Sequence, residues 1–351
     1  MDTRGRYRTY ADRIASVSPA YAGWADSLDD DLVALLDEVP ATQRQPELLF
    51  AVARRLGADP MDAGSLRALG REARPALVAA LTTATVQAND PRRLAPVVPV
   101  LAALAAASDR PLGLVDVGAA AGLCSIPDRV TLDHRQRAPL HTSRPLATGR
   151  DVRSGARDPL LRMHTAVPGP AVHLVADVTG TPPDPAATSI RIGARIALDP
   201  NPIDPTAPGA LERLVEAVPP EATDRTALMA EALRATVVEP PVRIRGRVPE
   251  DLDRALDALP DDCEPVVLTT GTLVYVPGAG RQRLVDRLRE RDVRWVALER
   301  TGILAGVAAT LPEDVDPADP DAFATLSLDG RALAVSDAFG TRVRWFGRTL
   351  R

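Results

Sequence analysis

The sequence contains no lysine: all 42 basic residues among its 351 are arginine. A Walker A loop sets a lysine on the phosphates, so P-loop kinases and ATPases are excluded. Schiff-base chemistry, pyridoxal phosphate enzymes included, needs a lysine amine and is excluded with them. Cysteine is scarce as well. Cys124 and Cys263 make no disulfide framework, and a reducing cytoplasm is the expected compartment. The histidines, His134, His141, His164 and His173, have no zinc-ligand spacing and no His-Glu-x-x-His pattern, so no metal site is expected. The absence of a Gly-x-Ser-x-Gly elbow argues against an α/β-hydrolase. With a net charge of -5 there is no global basic field, and no nucleic-acid partner is expected. The longest apolar stretch, Leu94–Ala107, is interrupted by Pro96 and Pro99 and is too short to span a membrane, so no membrane partner is expected. The opening residues, Met1 to Arg6, carry no apolar run, so no secretory leader is expected.

What is present changes period near residue 107. Residues 1–106 read as an all-helical region. Ser18-Pro19 is an N-cap followed by a proline in the first turn. Leu48, Leu49, Val52 and Leu56 recur at helical spacing after Pro46, and Gly57 ends that run. One helix is predicted over about 71–84 and another through Leu94, Val97, Val98, Leu101 and Leu104. From residue 107 to 351 short apolar runs alternate with helical stretches. Strands are predicted at 112–117, 171–175, 192–198, 242–244, 265–268 and 293–298. This alternation implies an α/β domain with a mainly parallel sheet, the first strand near its centre. Asp329-Gly330 between 322–328 and 332–335 adds a C-terminal antiparallel hairpin, and 342–346 a further strand. The segment 134–170 fits neither period. It holds Arg144, Arg150, Arg153, Arg157 and Arg162, and reads as a lid for an anionic substrate or as a solvated insertion.

The chemistry is expected at Val115-Asp116-Val117-Gly118-Ala119-Ala120-Ala121-Gly122-Leu123. An acid ends a strand, Gly118 takes a tight turn, and Ala120 and Gly122 are small enough for close approach of a ligand. A helix is expected to follow and to offer free N–H groups. A carboxylate at Asp116 repels a pyrophosphate, so the turn favours S-adenosylmethionine over NAD as cofactor. A ribose needs an acceptor at the end of a neighbouring strand. Asp199, stopped by Pro200 and Pro202, is preferred over Asp133 and Asp177; its ordinary alternative is a turn aspartate bonding its own backbone. Thr270 and Thr272 follow a strong strand and line the pocket floor, or are ordinary strand-end turn residues. Gln87 and Asn89 fold over a substrate pocket beside Gly118, or are simple helix caps. Cys124 reads more readily as a small buried side chain than as a thiolate.

The chain also resembles a known family. The likeness rests on Arg6-Tyr7-Arg8-Thr9-Tyr10-Ala11, Ser18-Pro19-Ala20-Tyr21, Gln45-Pro46-Glu47-Leu48-Leu49-Phe50-Ala51 and Val86-Gln87-Ala88-Asn89-Asp90. The turn through Gly122-Leu123, the segment Asp199-Pro200-Asn201-Pro202-Ile203-Asp204 and Leu273-Val274-Tyr275-Val276-Pro277 complete it. These are similar to the uncharacterised bacterial family catalogued as domain of unknown function 2332, itself similar to class I methyltransferases. The resemblance implies a Rossmann-like methyltransferase-type fold, and no established reaction. Where the family usually has asparagine this chain has Cys124, and where an acid is common after the glycine at Gly246 it has Arg247. The expected function is S-adenosylmethionine-dependent methyl transfer to a small molecule. The alternatives are a non-enzymatic nucleotide- or partner-binding protein with a degenerate cofactor site and, less favoured, an NAD-dependent oxidoreductase.

Overall fold

Helices begin at the N-terminus because cap residues precede apolar runs of helical period. The computed structural model describes all residues except 1, 86, 88, 137–160, 165–166, 184–188 and 351. The chain divides into two compact units, Met1–Ala88 with Ala207–Ala230, and Asn89–Thr206 with Glu231–Arg351. The first carries α1 (Thr3–Ile14), α2 (Pro19–Asp26), α3 (Asp30–Asp37), α4 (Pro46–Arg55), α5 (Ser65–Glu72) and α6 (Arg74–Thr83). Ser18 caps α2 by accepting from the Tyr21 N–H, and Asp29 caps α3 through the Leu32 N–H. The predicted helix over 71–84 is broken at Ala73, because Pro75 in the first turn of α6 has no N–H to bond back along the chain.

The family-like motifs build the core of this unit. Tyr7, Tyr10, Tyr21, Trp24 and Phe50 pack ring to ring among buried leucines of α3 to α6, with Phe50 at the centre of four contacts. Two hydrogen-bonded anchors tie in residues 207–230. Arg54 donates to the carbonyls of Val215, Glu216 and Val218 and to the Tyr21 hydroxyl. Glu221 accepts from the Ser18 hydroxyl at 2.6 Å and from the Ala20 N–H at 2.8 Å, an anion at the N-terminus of α2.

The second unit opens with α7 (Leu94–Ala107). The period places it with the N-terminal helices, yet it packs on strands of the sheet. It is apolar on nearly every face, which is how a helix buried in a domain core reads. Among the described residues eleven strands form one sheet: β1 (Leu112–Val117), β2 (Val130–Gln136), β3 (Leu161–Met163), β4 (Val172–Thr179), β5 (Ile192–Asp199), β6 (Val242–Arg245), β7 (Glu264–Thr270), β8 (Arg294–Arg300), β9 (Ala324–Leu328), β10 (Arg331–Ser336) and β11 (Arg342–Trp345). The later helices are α8 (Ala210–Val215), α9 (Thr223–Val238), α10 (Leu252–Leu256), α11 (Gly278–Glu290) and α12 (Ala305–Ala308). The order is β3-β2-β4-β11-β10-β9-β8-β7-β1-β5-β6. From β6 to β8 every pairing is parallel, and the β9–β10 hairpin turns antiparallel, its Asp329-Gly330 corner in the left-handed conformation. The mixed, mostly parallel α/β sheet is therefore as expected.

Strand β1 is interior but not central. It lies third from the β6 edge, because β2, β3 and β4 extend the other side. The strands β2 and β3 were not expected from the pattern. In β2 only the alternation of buried Val130, Leu132 and His134 with more exposed Thr131, Asp133 and Arg135 betrays a strand. Of the arginine-rich segment, Arg144, Arg150, Arg153 and Arg157 lie outside the described residues. Arg162, on β3, pairs with Asp133 at 3.0 Å.

Candidate functional site

Strand β1 is flanked by β5 on one side and β7 on the other, and the strand order runs outward from it as β5-β6 one way and β7-β8 the other, so the carboxyl end of β1 is a switch point of the parallel part of the sheet. Asp116, Gly118, Ala120 and Gly122 stand there. Side-chain alternation turns Val115 and Val117 into one core and Asp116 to the opposite face. Asp116 is 1% exposed. Its Oδ2 accepts from the Ser125 hydroxyl at 2.8 Å, and its Oδ1 is buried with no partner among the described residues. Burial raises the carboxyl well above the usual range, to about 7; the Ser125 bond and the Arg93 charge pull it back, and Asp199 adds to the rise.

No α-helix lies between β1 and β2, and the first helical turn is the short 3-10 helix Pro127–Arg129. Residues 118–126 form successive tight turns, with Gly122 N–H donating to Ala119 O at 2.6 Å and Ser125 N–H to Gly122 O at 2.9 Å. Gly118, Ala120 and Gly122 all have positive φ, at 74°, 49° and 81°, and alternating handedness is incompatible with a helix. The loop is held from below by β5. Arg195 Nε donates to Ser125 O at 3.1 Å, and its Nη2 to the Asp128 carboxylate. The helix N-terminus expected here, with its free N–H groups, is thus replaced by turns.

Ala120 is a residue with a Cβ in a conformation that favours glycine. It is held there by Asp199 Oδ2, which accepts its N–H at 2.9 Å, and by Ile203 N–H, which donates to its carbonyl at 2.9 Å. Ala120→Gly is therefore expected to leave stability unchanged or raise it by up to about 1 kcal/mol, where alanine-to-glycine changes ordinarily destabilise. Urea denaturation of the variant checks this; a loss of the ordinary size would mean that the turn is not strained.

Asp199 ends β5, directly beside β1, and is 4% exposed. Besides Ala120 it accepts from its own turn, Asn201 N–H to Oδ1 at 2.7 Å. The turn role and the place beside β1 therefore coexist. Asp133 on β2 and Asp177 on β4 are separated from β1 by β11 through β7 and are not neighbours of the turn. Thr272 seats its hydroxyl on Val117 O at 2.9 Å. A Cβ added at Gly118 would lie 2.2 Å from that Thr272 oxygen, so the space under Gly118 is filled by protein. Gly118→Val would therefore disturb the fold and is not a clean test of ligand binding. Thr270 is buried at the end of β7, its carbonyl accepting from Arg93 Nη1 at 2.9 Å.

Asn89 reaches the turn from the segment before α7. Its Oδ1 accepts from the Leu123 N–H at 2.6 Å, and its amide lies 3.9 Å from Cys124 Sγ. Cys124 is fully buried, and burial first, then the Asp116 charge, push its thiol up to about 12, so it is an unreactive packing residue. Gln87 is half-buried and belongs to the first unit. The pattern missed two members of this end of the sheet. Glu299, buried in β8, accepts from the N–H groups of Thr272 at 3.1 Å and Leu273 at 3.0 Å, and burial raises it to about 7. Arg93 is the cation that faces these carboxyls. An acid closing the apolar run 295–298 was the available signal for Glu299.

The model of a family described as an uncharacterized protein conserved in bacteria, DUF2332, matches residues 4–345. The chain belongs to this family. No curated protein and no solved structure matches it. The DUF2332 match covers both units, so the aromatic core of α1 to α4 and the Asp116 turn are parts of one family unit of sequence.

Proposed function

We propose that the carboxyl end of β1 binds S-adenosylmethionine and that the protein transfers its methyl group to a small molecule. The observation that carries this reading is Asp116: a buried carboxylate at a switch point with one oxygen unpartnered among the described residues. A buried acceptor without a donor favours a ligand that brings one, and the ammonium of the cofactor's amino-acid end is such a donor. The parallel run β6-β5-β1-β7-β8 supports this reading, because nucleotide sites in open α/β sheets lie at the carboxyl ends of such a run. In that reading Asp199, at the end of the neighbouring strand, takes the ribose hydroxyls. Asp251, whose Oδ2 accepts the Arg247 N–H at 2.8 Å, supplies an acid at the end of β6 that the sequence lacks at position 247. Catalysis would come from holding the acceptor in line with the sulfonium, with no general base required.

The missing helix bears unequally on the cofactors. A pyrophosphate needs N–H groups and a positive dipole end, and here it would meet Asp116 and Asp199 instead. A sulfonium nucleoside has no phosphate to place, so NAD is disfavoured and S-adenosylmethionine is not. A second reading, a non-enzymatic protein with a degenerate site, is favoured by the Thr272 side chain in the space under Gly118.

Calorimetric titration with S-adenosylmethionine and S-adenosylhomocysteine separates the two. Because the ammonium requires ionised Asp116, affinity is expected to rise about tenfold from near pH 6 to near pH 8, and to be lost in Asp116→Asn. Absence of binding to the wild type at millimolar cofactor moves the assignment to the second reading.

A further inference from the structure

Two arginines lie deep in the second unit beneath the β1 loop, and they share one carboxylate. Arg129 is 2% and Arg195 9% exposed. Arg195 projects from the middle of β5, with Nε on Ser125 O and Nη2 on Asp128. Its Nη1 reaches Glu239 Oε2 at 3.0 Å, and Arg129 Nη2 lies 3.4 Å from the same oxygen. Arg129 Nη1 donates to Pro168 O at 3.2 Å, while its buried Nε–H finds no acceptor among the described residues. Glu239, just past the end of α9, is unlike its partners: its side chain is 52% exposed. Glu239 and Asp128 also line a cavity of about 280 Å³ with Val167, Ser189, Ile190, Arg191 and Ile192.

The asymmetry is informative. Here two desolvated guanidiniums are fixed by backbone carbonyls and Asp128, and the remaining acceptor is a solvent-accessible side chain at a cavity mouth. One carboxylate oxygen serves both cations, and a buried donor is left over. Arginine forks match oxyanions with several acceptor atoms, and such contacts are strongest where water is excluded. We propose that Arg129 and Arg195 form a second binding site, for a small oxyanion such as a phosphate or a carboxylate, and that Glu239 occupies it intramolecularly until a ligand displaces it. The local charge supports exchange: with Glu239 swung out, Asp128 is the carboxylate left in an ion pair with Arg195 among the described residues, while the guanidinium of the wall residue Arg191 holds the carbonyls of Ser108 and Asp109. The site is independent of the cofactor reading, since it uses none of the residues assigned to S-adenosylmethionine.

The test is calorimetry and thermal shift of the full chain with phosphate, pyrophosphate and malonate, against chloride at matched ionic strength. Glu239→Ala, a change at a half-exposed position, is expected to bind at least one of these about tenfold more tightly than wild type, because the internal competitor is gone. The phosphate and malonate arms distinguish the two sources of oxyanion. Arg129→Met in the Glu239→Ala background is expected to abolish the gain, and far-ultraviolet circular dichroism reports whether that variant folds. Should it fail to fold, the milder Arg129→Lys in the same background, which keeps the charge and loses the fork, is expected to weaken binding several-fold instead. No response of Glu239→Ala to millimolar amounts of any of the three anions, or a response equal to that of chloride, overturns the proposal.

Discussion

Between about pH 5 and about pH 8 the wild-type protein is expected to lose roughly 3 kcal/mol of stability relative to Asp116→Asn. Asp116 has a folded pKa of about 7, raised by burial above the ordinary carboxylate value. The folded state therefore holds a proton that the unfolded state has released. The stability this contributes is full below the unfolded pKa near 4 and is lost as pH rises through 7. Asparagine keeps the acceptor for Ser125 and removes the titration. Glu299, raised to about 7 by burial, acts in the same direction in both proteins. His134 acts oppositely: burial lowers it to about 4, so its contribution is present above about 6.5 and is lost as pH falls. Both effects cancel in the comparison of wild type with variant. Urea denaturation at several pH values measures the difference. Parallel stability curves across that range would show that Asp116 is ionised in the free protein, and the pH dependence expected of cofactor binding would fall with it.

Arg195→Met is expected to cost about 3–5 kcal/mol. The side chain is 9% exposed and makes three kinds of contact at once. Its loss removes the cation that Asp128 pairs with at 2.5 Å, a donor to the Ser125 carbonyl and one of the two arginines on Glu239 among the described residues. The cost lies mainly in the lost charge pairing of a buried carboxylate. Arg195→Met combined with Asp128→Leu is therefore expected to recover a large part of it, since replacing both partners of a buried pair is far milder than removing one. If the double variant is no more stable than the single one, the loop is held by something other than this pair. The same substitution bears on the site above it, because Ser125, whose carbonyl Arg195 holds, places its hydroxyl on Asp116.

The sequence by itself determined the elements whose signals are local. Ser18 and Asp29 before apolar runs made α2 and α3, and Asp329-Gly330 made the hairpin. The short β-branched runs of β1, β5, β7 and β8 carried buried parallel strands, and the acid-glycine turn at Asp116–Gly118 lay at the end of one of them. Tertiary structure decided what depends on partners distant in the chain. Whether Asp133, Asp177 or Asp199 stands beside Asp116 is a matter of strand order, and no local pattern encodes it; only β5 pairs with β1 on that side. The helix expected after β1 gave way to a loop because Arg195 and Asp199, more than 65 residues further on, bind its carbonyl and N–H groups in turn conformations. A helix propensity of a few tenths of a kcal/mol per residue does not outweigh such bonds. The same reasoning covers α7: its sequence made it a helix, and only the sheet, offering apolar surface on the side it needed to bury, decided which unit it joined.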